Sequence, residues 1–209
     1  MEMTQQNEEW FLSRIGKVTG SRFGDIIAVG KNGQPLKARE TIITEITLEL
    51  LTGQPGATFT SKASDWGNTQ EPYACLAYEV KTGVFVQKTG FIDHPTIGQC
   101  GASPDGLIET DGGFEAKCPY SSAVHLDTLL YGMPSEHMAQ CQGGMLVTKR
   151  EWWDFVSWNP NFPENMRLYI QRIERDQKFI DAMEEKLVIA IAEINANVKN
   201  LLEKYGVVQ

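Results

Sequence analysis

Two short runs place acidic and basic side chains where they could act together on a phosphate. The first is Ser103-Pro104-Asp105-Gly106; eight residues later comes Glu115-Ala116-Lys117. Side chains alternate across a strand, so Glu115 and Lys117 share one face, while Phe114, Ala116 and Cys118 share the other, apolar one. The ten-residue separation of Asp105 and Glu115 suits two short strands and a turn, a hairpin that folds Asp105 back beside Glu115. Two convergent carboxylates suit a hard cation such as Mg²⁺, which prefers oxygen ligands and keeps waters for a substrate phosphate. Such an ion activates water and neutralises charge on a transferring phosphoryl group. Lys117 has two roles open to it: orienting or deprotonating the attacking water if its pKa is depressed, or stabilising negative charge in the transition state. Taken singly these runs are ordinary, a Glu/Lys pair on a surface strand and a Pro-Asp-Gly turn. Their combination at hairpin spacing, with apolar flanks at Leu107, Ile108, Phe114 and Cys118, is what points to chemistry.

The elements that must position these residues follow from periodicity and punctuation. Residues 4–15 read as a helix with Trp10, Phe11 and Ile15 on one side. Thr19 and Ser21 are N-cap types before a short helix through Phe23, Ile26 and Ile27. Residues 30–35 form a loop, and 38–51 a helix stopped at Gly53. A polar connection over 57–65 leads to a helix from Trp66 to Lys81, with Pro72 near its start and Gly83 past its end. Strands are expected at 84–88, 90–92, 106–110 and 114–118, with Asp111-Gly112-Gly113 as the hairpin turn. A helix over 134–147 has Pro134 in its first turn. Strands at 152–158 and 168–173 follow, then a long helix from Asp176 to Tyr205 with an apolar stripe from Phe179 to Leu201. This order predicts an α/β fold, a mixed central sheet flanked by helices, as one domain over residues 1–209.

The bulk numbers narrow the class. At 209 residues and 42% apolar content the chain can bury a sizeable core. It shows no secretory signal and no run of the ~20 apolar residues that a membrane span needs, so a soluble, intracellular protein is expected. Cys75, Cys100, Cys118 and Cys141 are scattered without a C-x-x-C pair, which suggests reduced, buried thiols. The net charge of −8 is awkward for binding DNA. Yet residues 10–39 hold six basic side chains (Arg14, Lys17, Arg22, Lys31, Lys37, Arg39) against Asp25 alone, either a local patch that guides DNA or a solvated surface.

At these residues the chain resembles the PD-(D/E)xK nuclease superfamily and, more narrowly, the phage lambda exonuclease family of YqaJ-type viral recombinases. The matches run in order: Trp10 to Arg14 with Gly16 and Thr19-Gly20-Ser21; Trp66-Gly67 with Glu71; Ser103 to Gly106; Glu115 to Pro119; and Met138-Ala139-Gln140-Cys141-Gln142. The resemblance implies a restriction-endonuclease-like fold. In it Asp105, Glu115 and the Ala116 carbonyl hold Mg²⁺ (Mn²⁺ substituting), and Lys117 is catalytic. Glu71, otherwise a helix-start acid, completes the acidic cluster, and Gln140 joins the site. His137, one turn before Gln140, stays a surface or cap residue. Arg14, Ser21 and Ser103 grip the 5′-phosphate of DNA, Arg14 through its planar fork; otherwise Arg14 pairs with Glu8 or Glu9.

The implied activity is hydrolysis of one strand of linear duplex DNA from its 5′ end to mononucleotides, leaving a 3′ single-stranded tail. The resemblance also implies a homotrimer around DNA ends, a single-strand annealing protein as partner, no membrane, and a phage or prophage protein in the cytoplasm of a bacterial host. The run after Pro119, Tyr120-Ser121-Ser122-Ala123, lacks the extra basic residue common in the family, so that role is vacant or passes to His125. Two rival expectations are a structure- or site-specific endonuclease on the same fold and a non-catalytic DNA-binding or assembly protein.

Overall fold

The computed structural model describes residues 8–56 and 61–206. Its elements are α1 (Glu8–Arg14), β1 (Val18–Thr19), a 3₁₀ turn (Gly20–Arg22), α2 (Phe23–Ile27), α3 (Lys37–Thr52), α4 (Lys62–Thr82), β2 (Ile92–Asp93), β3 (Cys100–Ala102), β4 (Gly106–Ile108), β5 (Gly112–Lys117), α5 (Ser122–Tyr131), a 3₁₀ turn (Ser135–His137), α6 (Met138–Thr148), β6 (Trp152–Trp158), a 3₁₀ turn (Glu164–Met166), β7 (Leu168–Glu174) and α7 (Gln177–Tyr205). The expected mixed sheet flanked by helices is present, divided into two pieces. One has the order β1-β3-β2, the other β4-β5-β6-β7. Ser103-Pro104-Asp105 is the bridge between them. β5 and β6 run parallel, so the chain must cross over, and α5 and α6 make that crossover.

The four-stranded sheet has helices on both faces. Phe114, Ala116 and Cys118 pack with Val156 against Ala74, Cys75 and Tyr78 of α4. Trp153 and Phe155 face the other way, with Met145 and Leu146 of α6 and the Ile180, Met183, Leu187, Ile191 and Ile194 stripe of α7. That stripe lapses after Ile194: Leu201 and Tyr205 are exposed. All four cysteines are free and buried. Tyr78 donates to Asp154 Oδ2 at 2.7 Å. Arg172 grips both oxygens of Asp154 at 2.9 Å, so the charge buried on the α4 face is fully compensated.

Several expectations need correction. Residues 4–7 of the first helix and 57–60 of the connection lie outside the described residues. α4 begins at Lys62, because Ser61 and Ser64 form a reciprocal capping box. Pro72 therefore sits mid-helix, where it removes one main-chain hydrogen bond; burial of Ala74, Cys75 and Tyr78 just beyond it holds the helix together. The stretch 84–88 is no strand and makes only the Gln87–Leu107 bridge. β1, β3 and α5 carry no expectation from the sequence. The helix expected from Pro134 starts as a 3₁₀ turn.

The hairpin turn is Glu109-Thr110-Asp111, with Glu109 at φ 48°. Arg150 Nη1 donates to the carbonyls of Ile108, Glu109 and Gly112 and so fastens it. Gly112 and Gly113 lie in β5, beneath the rings of Trp152 and Trp153, which a Cβ at either position would strike. These glycines serve packing against tryptophan, not the turn. Gly113→Ala should therefore lower stability by about 1–3 kcal/mol. Gly67→Ala, on helical backbone with open space around it, should raise it by about 0.5–1 kcal/mol. Denaturant unfolding of both variants checks this; equal effects would refute the packing role.

Candidate active site

The β4–β5 register pairs Gly106 with Phe114. Extended one step, it sets Asp105 against Glu115, and a further step sets Pro104 against Ala116. Asp105 Oδ2 accepts from the Ala116 backbone N–H at 2.8 Å, which fixes the carboxylate at the strand edge. The N–H and C=O of one strand residue point to the same side, so the Ala116 carbonyl also lies on this edge, where Pro104 has no N–H to offer it. Glu115, 3% exposed, accepts at Oε1 from Lys117 Nζ (2.7 Å) and Gln140 Nε2 (2.5 Å). Lys117 also donates to Gln140 Oε1 at 3.1 Å. Among the described residues, Asp105 Oδ1 and Glu115 Oε2 accept no hydrogen bond from protein.

The electrostatics follow from this crowding. Burial, then Glu115 and Glu71, hold the Asp105 carboxyl well above the ordinary carboxylate range, and Lys117 only partly offsets them. Burial also raises Glu115, against the pull of Lys117. Burial would lower Lys117, but Glu115 and Asp105 outweigh it and raise its pKa. Lys117 thus donates to both neighbours.

Asp105, Glu115, Ala116, Lys117, Gln140 and Glu71 all line one cavity of about 450 Å³. Glu71 reaches it from α4 but pairs with Lys88 at 2.8 Å, a cation that belongs to none of the sequence motifs. Among the described residues no three His, Cys, Asp or Glu converge as a metal group. The donors available at this strand edge are two carboxylates and a carbonyl. That fits Mg²⁺, which takes one or two carboxylates and completes its shell with water; two repelling buried acids with a free oxygen each favour such a cation.

A second, smaller cavity of about 40 Å³ adjoins the first, lined by Arg14, Ser21, Ser103 and Trp153 and also by Glu115 and Gln140. Parallel pairing of β1 with β3 brings Thr19 to Ser21 alongside Ala102 and Ser103. Ser103 Oγ accepts from Trp10 Nε1 (2.9 Å) and Arg14 Nη1 (3.0 Å), so its own hydroxyl hydrogen is free to point elsewhere. Arg14 lies 4.1 Å over the Trp10 ring, and burial with Arg22 nearby lowers its pKa to about 10, still charged at neutrality. Among the described residues it pairs with no carboxylate, Glu8 and Glu9 included. The basic run over 10–39 is half neutralised: Lys17 pairs with Asp93, Arg22 with Glu45 and Arg39 with Glu193.

His137 keeps its expected place at a cap, and His125 does not take the role open to it. His137 occupies the N-cap of α6 but also lines the larger cavity, stacked on Phe155 at 5.3 Å, and burial with the Lys117 charge lowers it to about 4. His125 cannot hold phosphate. It is fully buried, bonded to Ser157 Oγ (2.7 Å) and the Met166 carbonyl (2.9 Å).

A carboxyl whose pKa rises on folding contributes stability below its unfolded value, and that stability is lost as pH climbs through the folded value. Without divalent metal, Asp105→Asn should therefore gain on wild type from the ordinary carboxylate range up towards neutrality. Millimolar Mg²⁺ should raise the wild-type Tm and leave that of Asp105→Asn unmoved. Thermal unfolding across pH, with EDTA or Mg²⁺, reads both; an Asn variant less stable than wild type at neutral pH in EDTA would contradict the repulsion.

Residues 9–151 match the YqaJ-like viral recombinase domain. An alkaline exonuclease from Laribacter hongkongensis is 38% identical over 95% of this chain and 97% of its own, with a TM-score of 0.87. The same exonuclease in complex with dAMP gives 37% identity, the same coverage and 0.88. A phage-related exonuclease from Haemophilus somnus shares the fold at 19% identity, covering 88% of this chain and 96% of that one, with a TM-score of 0.72. A comparison with curated proteins gave no match. The chain therefore belongs to the YqaJ-like viral recombinase domain family and is a DNA nuclease.

Proposed function

We propose that this nuclease, a single exonuclease domain over 1–209, digests one strand of linear duplex DNA from its 5′ end in a Mg²⁺-dependent reaction that Mn²⁺ also supports. The carrying observation is the contact between the two cavities: Glu115 and Gln140 line both, so a phosphate held by Arg14, Ser21 and Ser103 lies beside the carboxylate pair. Such a pocket takes a terminal phosphate and sets the next phosphodiester at the cation site, which supports release of mononucleotides and a 3′ single-stranded tail. The complex of the Laribacter exonuclease with dAMP is in keeping with a mononucleotide product.

Each residue has a definite task. Asp105, Glu115 and the Ala116 carbonyl hold the cation, which activates water and neutralises phosphoryl charge when bound. Lys117 places an ammonium where negative charge grows on the phosphoryl oxygens. Gln140 fixes both Glu115 and Lys117. Glu71, tied to Lys88, adds negative charge at the cavity wall and attracts the cation. Arg14 and the free hydrogen of Ser103 bind the terminal phosphate, with Ser21 at 3.4 Å from Thr19 Oγ1 beside them. The resemblance adds a homotrimer encircling DNA, which would let basic residues line a channel despite the net charge of −8. It also adds a single-strand annealing protein as partner, in the cytoplasm of a phage-bearing bacterium. No helix among the described residues is long and apolar enough to cross a membrane.

A linear duplex with a 5′-phosphate and a label at either end tests the polarity. Mononucleotides should leave the 5′ end first with Mg²⁺ and not with EDTA, and covalently closed circles should resist. Lys117→Ala should cost at least roughly 10²-fold in kcat. Arg14→Ala should cost about 10- to 100-fold in kcat/KM on phosphorylated ends, the value of hydrogen bonds to a charged group. Cutting of closed circles would favour the endonuclease rival, and binding without shortening under any divalent metal would favour a non-catalytic protein. A micromolar monomer in light scattering would sink the trimer.

A further inference from the structure

The chain has three histidines, and two of them are buried. His94 Nδ1 accepts from the Thr96 and Ile97 N–H groups at 3.2 and 3.0 Å, and both ring nitrogens of His125 are bonded. His137 is different. It stands at the N-cap of α6, yet its side chain does not cap the helix. The nearest carboxylate oxygen, Glu136 Oε1, lies 3.9 Å from its Nε2, beyond hydrogen-bond reach. Its ring nitrogens make no hydrogen bond among the described residues. The buried side-chain polar atoms without a partner belong to Trp66, His94 and Trp153, so the unpartnered nitrogens of His137 are accessible.

The place of this ring is fixed. One face is stacked on Phe155, with centroids 5.3 Å apart and planes 22° apart. Phe155 stands opposite Glu115 in the β5–β6 register, and Gln140 follows one turn later on α6. His137 therefore lines the large cavity together with Asp105, Glu115 and Lys117. Burial and the Lys117 charge lower its pKa to about 4. At neutrality the ring is uncharged, with one N–H to donate and one bare nitrogen to accept. It adds no positive charge to a site that has to take a cation. Exposed Glu136 beside it puts this stretch of wall at the cavity mouth. The small cavity joins the large one at Glu115 and Gln140. With the terminal phosphate in the small cavity and the scissile bond at the carboxylates, the rest of the strand runs on through the large cavity and past His137. We infer that the His137 ring N–H donates a hydrogen bond to a phosphate oxygen of the DNA strand just past the scissile bond, which makes His137 a substrate-binding residue. Contacts of this kind set the register of a strand without reading its sequence. The inference rests on the proposed course of DNA through the two cavities.

Fluorescence anisotropy of a labelled, 5′-phosphorylated duplex with the full-length protein in EDTA tests this without cleavage. His137→Phe keeps a ring on Phe155 and loses both nitrogens, so Kd should rise about tenfold, the value of a hydrogen bond to a charged group. His137→Gln restores an uncharged N–H and should recover most of that loss. Glu136→Gln removes the nearest carboxylate and should leave Kd unchanged or lower it; a ring that served only Glu136 would make this variant bind as weakly as His137→Phe. The ring ¹⁵N signals of His137 in the labelled wild type, assigned by their loss in either variant, should move when the duplex is added while those of buried His94 and His125 stay. These signals decide the matter should His137→Phe not fold. An unmoved His137 signal, or an unchanged Kd in a folded His137→Phe, overturns the inference. The reading of the site survives that result if Lys117→Ala still abolishes cutting with Mg²⁺. If Asp105→Asn and Lys117→Ala cut like wild type, the cavities are not the path of the DNA and both fall.

Discussion

Asp105 and Glu115 repel each other at the edge of a buried strand, and much of the surrounding structure keeps them together. Coulomb repulsion between two acids grows as water is excluded, and the backbone holds the pair together against it. The β4–β5 register sets the two side by side. Arg150 closes the hairpin by gathering three turn carbonyls, and the Ala116 N–H holds one carboxylate in place. Lys117 supplies a single compensating charge and Gln140 orients it. The site is left short of positive charge, which is the condition a divalent cation relieves.

The same constraint accounts for the neighbouring glycines and tryptophans. β5 must lie close to β6 for Glu115 to stand opposite Phe155. Trp152 and Trp153 fill that space only because Gly112 and Gly113 lack side chains. Pro104 performs a comparable double task. It denies a strand partner to the Ala116 carbonyl, and it separates Ser103, which turns to Arg14 and Trp10, from Asp105, which turns to Ala116. A three-residue bridge thereby connects the small cavity of Arg14 and Ser103 to the carboxylate pair.

The site was legible in the sequence because its geometry is local. The spacing of Asp105 and Glu115 encodes a hairpin, and strand alternation encodes the Glu115–Lys117 face. What stayed hidden depends on distant partners. Gly112-Gly113 reads as a turn until the tryptophans forty residues later are known to lie over it. α5 buries His125 and Thr128 and exposes Val124, Leu126, Leu130 and Tyr131. Its apolar pattern therefore runs opposite to that of a core-facing helix, and Ser121 makes no side-chain cap. β1 and β3 are two and three residues long, too short for a period to register. The Glu71–Lys88 ion pair and the orphaned Trp153 N–H arise only from tertiary packing.

Anomalous diffraction from crystals grown with Mn²⁺ tests the central claim most directly. The account predicts a manganese peak against the carboxylates of Asp105 and Glu115 and the carbonyl of Ala116, lost in Asp105→Asn. A preparation that cuts DNA with Mn²⁺ but binds the ion elsewhere, leaving that strand edge without a peak, would contradict it.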